Sequence, residues 1–130
     1  MLKYILNMVG QDGAAAPSGG ERLLRLFTNN LSPGESTALG DITEASGGVG
    51  YTPITLNGAA WTISLLSDVA TGLYSEQSFG FTTRVTIYGY YVTTIEGTPK
   101  LLWMEQFTNG PYQLPDIGGE IGVTPRLNLN

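Results

Sequence analysis

The run from Glu120 to Asn130 constrains the fold more than any other part of this chain. Ile121, Val123, Pro125, Leu127 and Leu129 fall on one parity, and Glu120, Gly122, Thr124, Arg126, Asn128 and Asn130 on the other. Successive side chains point to opposite faces only in extended backbone, so a period of two predicts a half-buried β-strand. The same period recurs upstream. Through residues 84–94, the longest strand expected, Val85, Ile87, Gly89 and Tyr91 alternate with Thr86, Tyr88, Tyr90 and Val92. Residues 100–107 return after a turn at Glu96-Gly97. In residues 21–28, Leu24 and Leu26 oppose Leu23, Arg25 and Phe27, so both faces are apolar and both should be covered. Residues 52–56, 61–66 and 74–82 read as further strands. Asn57-Gly58 is a type I′ hairpin signal between the first two, because both residues tolerate positive φ. Residues 68–72 and Asn109-Gly110-Pro111 read as turns. About seven or eight strands separated by turn signals predict an antiparallel β-sandwich or barrel.

The two ends differ. Near the N-terminus Leu2, Ile5, Leu6 and Val9 are spaced i, i+3, i+4, i+7, a helical stripe. A helix of about two turns is marginal alone and must dock, on its own domain or on a neighbouring subunit. Residues 10–20 are rich in Gly, Ala, Pro and Ser and read as a connector. The expected organisation is a short helical arm with its linker over 1–20 and one β domain over 21–130, which suits a length of 130 residues. Asn7, Gln11 and Asp12 interrupt the apolar stretch before Ala14-Ala15-Ala16, which argues against a secretion signal. No apolar run approaches the ~20 residues of a membrane span. Residues 29–50 form a polar loop with Pro33-Gly34 and Gly47-Gly48 turns; a loop of about 20 residues inside a small domain usually has a task.

Composition removes most chemistry. Charged residues are only 13% of the chain, with 11 acids against 6 bases and a net charge of −5. The bases Lys3, Arg22, Arg25, Arg84, Lys100 and Arg126 are scattered, so no cluster exists to neutralise a run of phosphates, and nucleic-acid binding is not expected. Cysteine and histidine are both absent. That excludes disulfides, Ser-His-Asp and Cys-His triads, and His- or Cys-ligated zinc. Glu105 beside Trp103, together with Glu120, is the one carboxylate pair worth weighing as a glycosidase dyad; solvated carboxylates on strand faces are the simpler reading. Asp41 and Glu44 fit no calcium-loop spacing, and Gly47-Gly48-Val49-Gly50 is not followed by the Lys-Ser/Thr of a phosphate loop. No catalytic residue, metal or cofactor is expected. Tyr88, Tyr90 and Tyr91 sit close together and suit either sugar stacking, a protein contact or cross-strand packing. Tyr90 and Tyr91 face opposite ways, so at least one should lie in the core.

The segments LRLFTNNLSPGEST, YTPITLNGAAWTI, TIYGYYVTT, LLWMEQFTNGPYQLPDIGGEI and VTPRLNLN run in this order through nearly the whole chain. This ordered string resembles a family of small structural proteins of tailed bacteriophages, of the capsid-decoration or cement type. No single motif in it is catalytic; the order is what is specific. The resemblance implies an all-β, jelly-roll-like sandwich with no enzymatic activity. It implies the major capsid protein as partner, self-association as a homodimer or homotrimer, and a place on the capsid exterior after assembly in the host cytoplasm. Neither nucleic acid nor membrane is implied. Leu2, Tyr4, Ile5 and Met8 in the arm, Arg25, Tyr88 and the 29–50 loop are the expected contact residues. A tail or tail-fibre adaptor is the alternative of the same class. A carbohydrate-binding module in host recognition, with Trp103 or the tyrosines as sugar platforms, is the alternative of another class.

Overall fold

The computed structural model describes residues 21–57, 60–66, 69–95 and 97–129. The expected arm, including Leu2, Tyr4, Ile5 and Met8, lies outside the described residues. Apolar alternation becomes extended backbone almost everywhere it occurs. The strands are β1 (Arg22–Phe27), β2 (Ile54–Leu56), β3 (Thr62–Leu66), β4 (Val69–Leu73), β5 (Gln77–Phe81), β6 (Val85–Ile87), β7 (Gly89–Thr93), β8 (Leu101–Gln106), β9 (Tyr112–Leu114), β10 (Gly119–Val123) and β11 (Arg126–Leu129). Every ladder is antiparallel, and the fold is all-β. The ladders form a four-stranded sheet β2-β1-β7-β8, a three-stranded sheet β11-β4-β3, and the ribbons β10-β5 and β6-β9. These ladders do not draw the two four-stranded sheets of a jelly roll.

The core lies between the four-stranded sheet and the β10-β5 ribbon. Leu24, Leu26, Leu56, Tyr90 and Val92 from the sheet meet Phe79, Phe81, Ile121 and Val123 from the ribbon. Tyr51 lies stacked on Phe79 and Phe81, at ring centroid distances of 5.8 and 6.1 Å. Trp61 closes one end, edge-on to Tyr74 at 5.2 Å and to Trp103 at 5.6 Å. The sheet is covered on its other face too: Phe27 and Tyr91 are buried there with centroids 6.4 Å apart. Tyr90 and Tyr91, at 2% and 4% exposure, are thus both internal, one on each face.

Four expectations change. First, the final alternation is not one strand. Its parity survives, since Ile121, Val123 and Pro125 are buried while Glu120, Gly122, Thr124 and Arg126 are exposed. The ladder breaks at Thr124-Pro125, because proline has no N–H to give. Opposite that break, residues 74–76 part β4 from β5, and the Tyr74 N–H donates to the Pro125 carbonyl at 3.1 Å. Two long arms therefore bend together. Second, where a turn was expected over 68–72, residues 69–73 are the central strand β4, with Gly72 paired to both Ile63 and Leu127. Third, the long strand 84–94 divides at Tyr88. A Cβ on Gly89 would run into the Glu105 carbonyl oxygen and come within 2.7 Å of the Phe27 ring; only glycine allows this approach, and β6 leaves for another ladder beside it. Fourth, β2 and β3 make no hairpin. β2 pairs with β1 and β3 with β4, and the Asn57 N–H donates to the Tyr74 hydroxyl at 3.0 Å. Tertiary pairing decided which strands met; Gly58 of the expected turn lies outside the described residues.

Candidate functional site

Two regions gather polar chemistry, and they lie on different parts of the four-stranded sheet. The first ties down the 29–50 loop. The loop carries two single-turn 3₁₀ helices, Leu39–Asp41 and Gly47–Val49. Glu44 returns to β1, bridging Phe27, and the Ala45 N–H donates to the Leu26 carbonyl at 3.0 Å. The Arg25 Nη1 donates to both Glu44 carboxylate oxygens at 3.0 Å, and Arg25 Nε donates to Thr93 Oγ1 at 3.2 Å. The Tyr51 hydroxyl donates to Glu44 Oε2 at 2.7 Å and accepts from the Leu26 N–H at 3.2 Å. Burial, then the hydrogen bond to Glu44, pushes the Tyr51 phenol far above its ordinary value. Burial first and the Glu44 charge second raise the Tyr91 phenol as well, against the opposing pull of Arg25. Every charge in this knot has its partner inside the chain.

The second region is a cleft of about 500 Å³ between β8, β9 and β10. An aromatic row descends into it. Tyr90 is buried at its floor, Phe107 lies 6.3 Å away, and Tyr112 lies 5.2 Å beyond Phe107 at the mouth, 43% exposed. The Tyr90 hydroxyl lies 3.2 Å from Glu105 Oε2 and 3.1 Å from the Arg126 carbonyl, and it accepts from the Arg126 N–H at 3.2 Å. Burial raises the Tyr90 phenol above its ordinary value; the Arg126 backbone opposes this and the Glu105 charge adds to it. Glu120 lines the opposite side. Beyond Gly122, the Glu76 carboxylate comes within 3.0 Å of where a Cβ would stand. No lysine or arginine among the described residues lines the cleft. Among the described residues no three carboxylates are gathered closely enough to hold a metal ion.

The structure redistributes the residues singled out in the sequence. Glu105 and Glu120 do share one cleft, although they lie on different ladders. Trp103 stands apart from them, packed on Trp61, with its indole N–H toward Tyr90 but without reaching hydrogen-bond geometry. Arg25 is engaged within the chain, its side chain 19% exposed. Tyr88 is half-buried at the β6-β7 junction, where its N–H donates to Phe27 and its carbonyl accepts from Phe107. Asp41 and Glu44 are no cation pair: Asp41 Oδ2 accepts from the Ala38 N–H at 2.9 Å, and Glu44 faces Arg25. Phe107 and Tyr112 went unremarked in the sequence. The signal was present, since both flank the Asn109-Gly110-Pro111 turn, but aromatics beside a turn have no period.

One surface feature adds to these. Ile117 is 87% exposed on the turn between β9 and β10. The Gly118 N–H closes the turn onto the Pro115 carbonyl at 2.9 Å, and Arg84 Nε meets Asp116 Oδ1 at 2.8 Å. Gly118 has a φ of 78°, and a Cβ there would run into the Phe81 carbonyl oxygen. Among the described residues no helix is long and apolar enough to cross a membrane. No family model, curated protein or solved structure matches the chain.

Proposed function

We propose that this protein is a non-enzymatic structural component of a tailed-phage particle, a decoration or cement protein that binds and stabilises the major capsid shell from outside. The ordered resemblance along the chain supports this reading. The structural observation that carries it is Ile117, an aliphatic side chain held out on a braced turn. An apolar group that exposed contributes nothing to its own fold, whereas on a rigid tip it suits insertion into a partner at little ordering cost. Low surface charge suits protein contact, and net negative charge suits the outside of a shell rather than its packaged nucleic acid. Copies of the chain arranged as a homodimer or homotrimer would add weak contacts by avidity. The arm residues Leu2, Tyr4, Ile5 and Met8 belong to the same proposal.

Binding of the purified protein to empty shells tests it. Ile117→Asp should leave the fold intact and lower the affinity, and a chain beginning after Gly20 should saturate shells less well. Equal saturation by both variants removes the tip and the arm from the proposal. Densitometry of purified particles separates shell from tail: copy number on the scale of the major capsid subunit supports decoration, and a handful of copies supports a tail adaptor.

A further inference from the structure

We propose that the cleft between β8, β9 and β10 is a docking site for an arginine side chain presented by a partner protein. The molecule itself supplies the comparison. In the loop knot, a carboxylate that accepts from a tyrosine hydroxyl is completed by a guanidinium at 3.0 Å to both oxygens. In the cleft, Glu105 Oε2 lies 3.2 Å from the Tyr90 hydroxyl, whose single proton it shares with the Arg126 carbonyl at 3.1 Å, but no cation among the described residues lines the site. Arg126 reaches it only through its backbone, and its side chain forms no ion pair among the described residues. Glu120 adds a second carboxylate to the lining.

The shape selects among cations. The carboxylates are spread around the cleft and not gathered for a metal, so a compact divalent ion is poorly served. A guanidinium is planar, delocalised and weakly hydrated; it pairs with carboxylates through a fork of N–H groups and stacks on aromatic faces. The Phe107–Tyr112 wall offers such faces at the mouth. A cleft of about 500 Å³ holds a side chain with part of its backbone and leaves room for the flanking residues of a loop. This goes beyond the shell-binding proposal, because it names the chemistry of one contact and stands for any protein partner.

The test is an NMR titration of the full-length ¹⁵N-labelled protein with acetyl-Gly-Arg-Gly-amide, and with the same peptide carrying citrulline, the neutral isostere of arginine. The arginine peptide should shift amides of residues 112–114 and 120–124, and the citrulline peptide should not. Glu105→Gln with Glu120→Gln should weaken the arginine peptide by about tenfold or more, as expected for loss of charge-assisted pairing. Tyr112→Ala should weaken it by about threefold through loss of the stacking face. The amide spectra report folding directly, and Glu120→Gln alone, at an exposed position, keeps the test available if the double variant misfolds. Equal binding of the citrulline peptide overturns the proposal, as do shifts confined to other surfaces. So does a neutral oligosaccharide such as maltotriose that moves the cleft amides when the arginine peptide does not; the cleft would then be a sugar site.

Discussion

Glu44 and Glu105 both meet a tyrosine hydroxyl, Tyr51 at 2.7 Å and Tyr90 at 3.2 Å, yet their surroundings are opposite in kind. Glu44 sits on the returning loop itself, faces the guanidinium of Arg25, and holds that loop against β1. Glu105 sits on the edge strand β8, faces a cleft, and meets no cation there. Identical side-chain chemistry therefore closes the chain in one place and leaves it open in the other. What differs is topology. β1 is flanked by β2 and β7 and covered by the loop, so polar groups there must be paired internally or leave a desolvated charge. β8 has β7 as its ladder partner and no second strand among the described residues, so its carboxylate keeps water and needs no internal cation.

The residue that joins the two regions should give the largest effect. Gly89 lies between the Phe27 ring on one side and the Glu105 carbonyl on the other. Gly89→Ala forces both apart and should lower stability by about 3 kcal/mol in urea denaturation, the upper range for overpacking. Breaking the knot comes next. Glu44→Ala strands the Arg25 guanidinium and the Tyr51 hydroxyl; because the pair is only partly buried, the loss should be about 2 kcal/mol rather than the larger cost of a fully buried pair. Amide exchange should speed up across residues 29–45 before the core responds. If Glu44→Ala proves neutral, the knot is decoration on a loop held by other means.

Alkaline titration sharpens the contrast further. The Tyr51 and Tyr91 phenols are held above the ordinary value of 10.0. Their folded forms keep the proton where the unfolded chain has lost it. The associated stability is therefore complete below pH 10 and is lost as pH climbs above it, by up to about 1.4 kcal/mol per pH unit for each such group. Denaturation midpoints from pH 9 to 11.5 should fall, and Tyr51→Phe should flatten that fall. The smallest effect belongs to the cleft. Glu120→Gln, exposed and outside any ion pair among the described residues, should change stability by no more than about 0.5 kcal/mol. A much larger loss would mean that Glu120 has an internal structural role and that the two regions are alike after all.

Much of this was legible in the chain, in proportion to how local the cause was. Alternation placed β1, β7 and β10, because side-chain parity follows from a strand's own backbone, and the turn at Glu96-Gly97 placed β8 as the return. The breaks at Tyr88 and Thr124 were not legible. The first depends on Phe27, some sixty residues away, approaching Gly89. The second was marked by Pro125, which the alternation absorbed as one more apolar residue. The turn expected over 68–72 failed because a glycine in a central strand looks like a glycine in a turn. Glu105 and Glu120 were both visible as carboxylates on strands. Their convergence on one cleft was not, since it depends on β10 pairing with β5 and not with β8. Arg25 was expected at a partner contact, and its tie to Glu44 was not legible, because it depends on where the loop returns.

The paired bend at Pro125 and Tyr74 also divides the C-terminal end into two units that can open separately. β10 belongs to the core ribbon through Phe79 and Phe81, whereas β11, among the described residues, has β4 as its one ladder partner and the Tyr90 hydroxyl as a tie at Arg126. Beyond the Tyr74–Pro125 hydrogen bond and the Arg126–Tyr90 tie, β11 can peel from its neighbour one bond at a time without disturbing Ile121 or Val123. Its amides should exchange with deuterium orders of magnitude faster than those of β10. A fusion joined at Asn130 would pull on this four-residue zipper first, with the bend acting as the stop that keeps the strain out of the core.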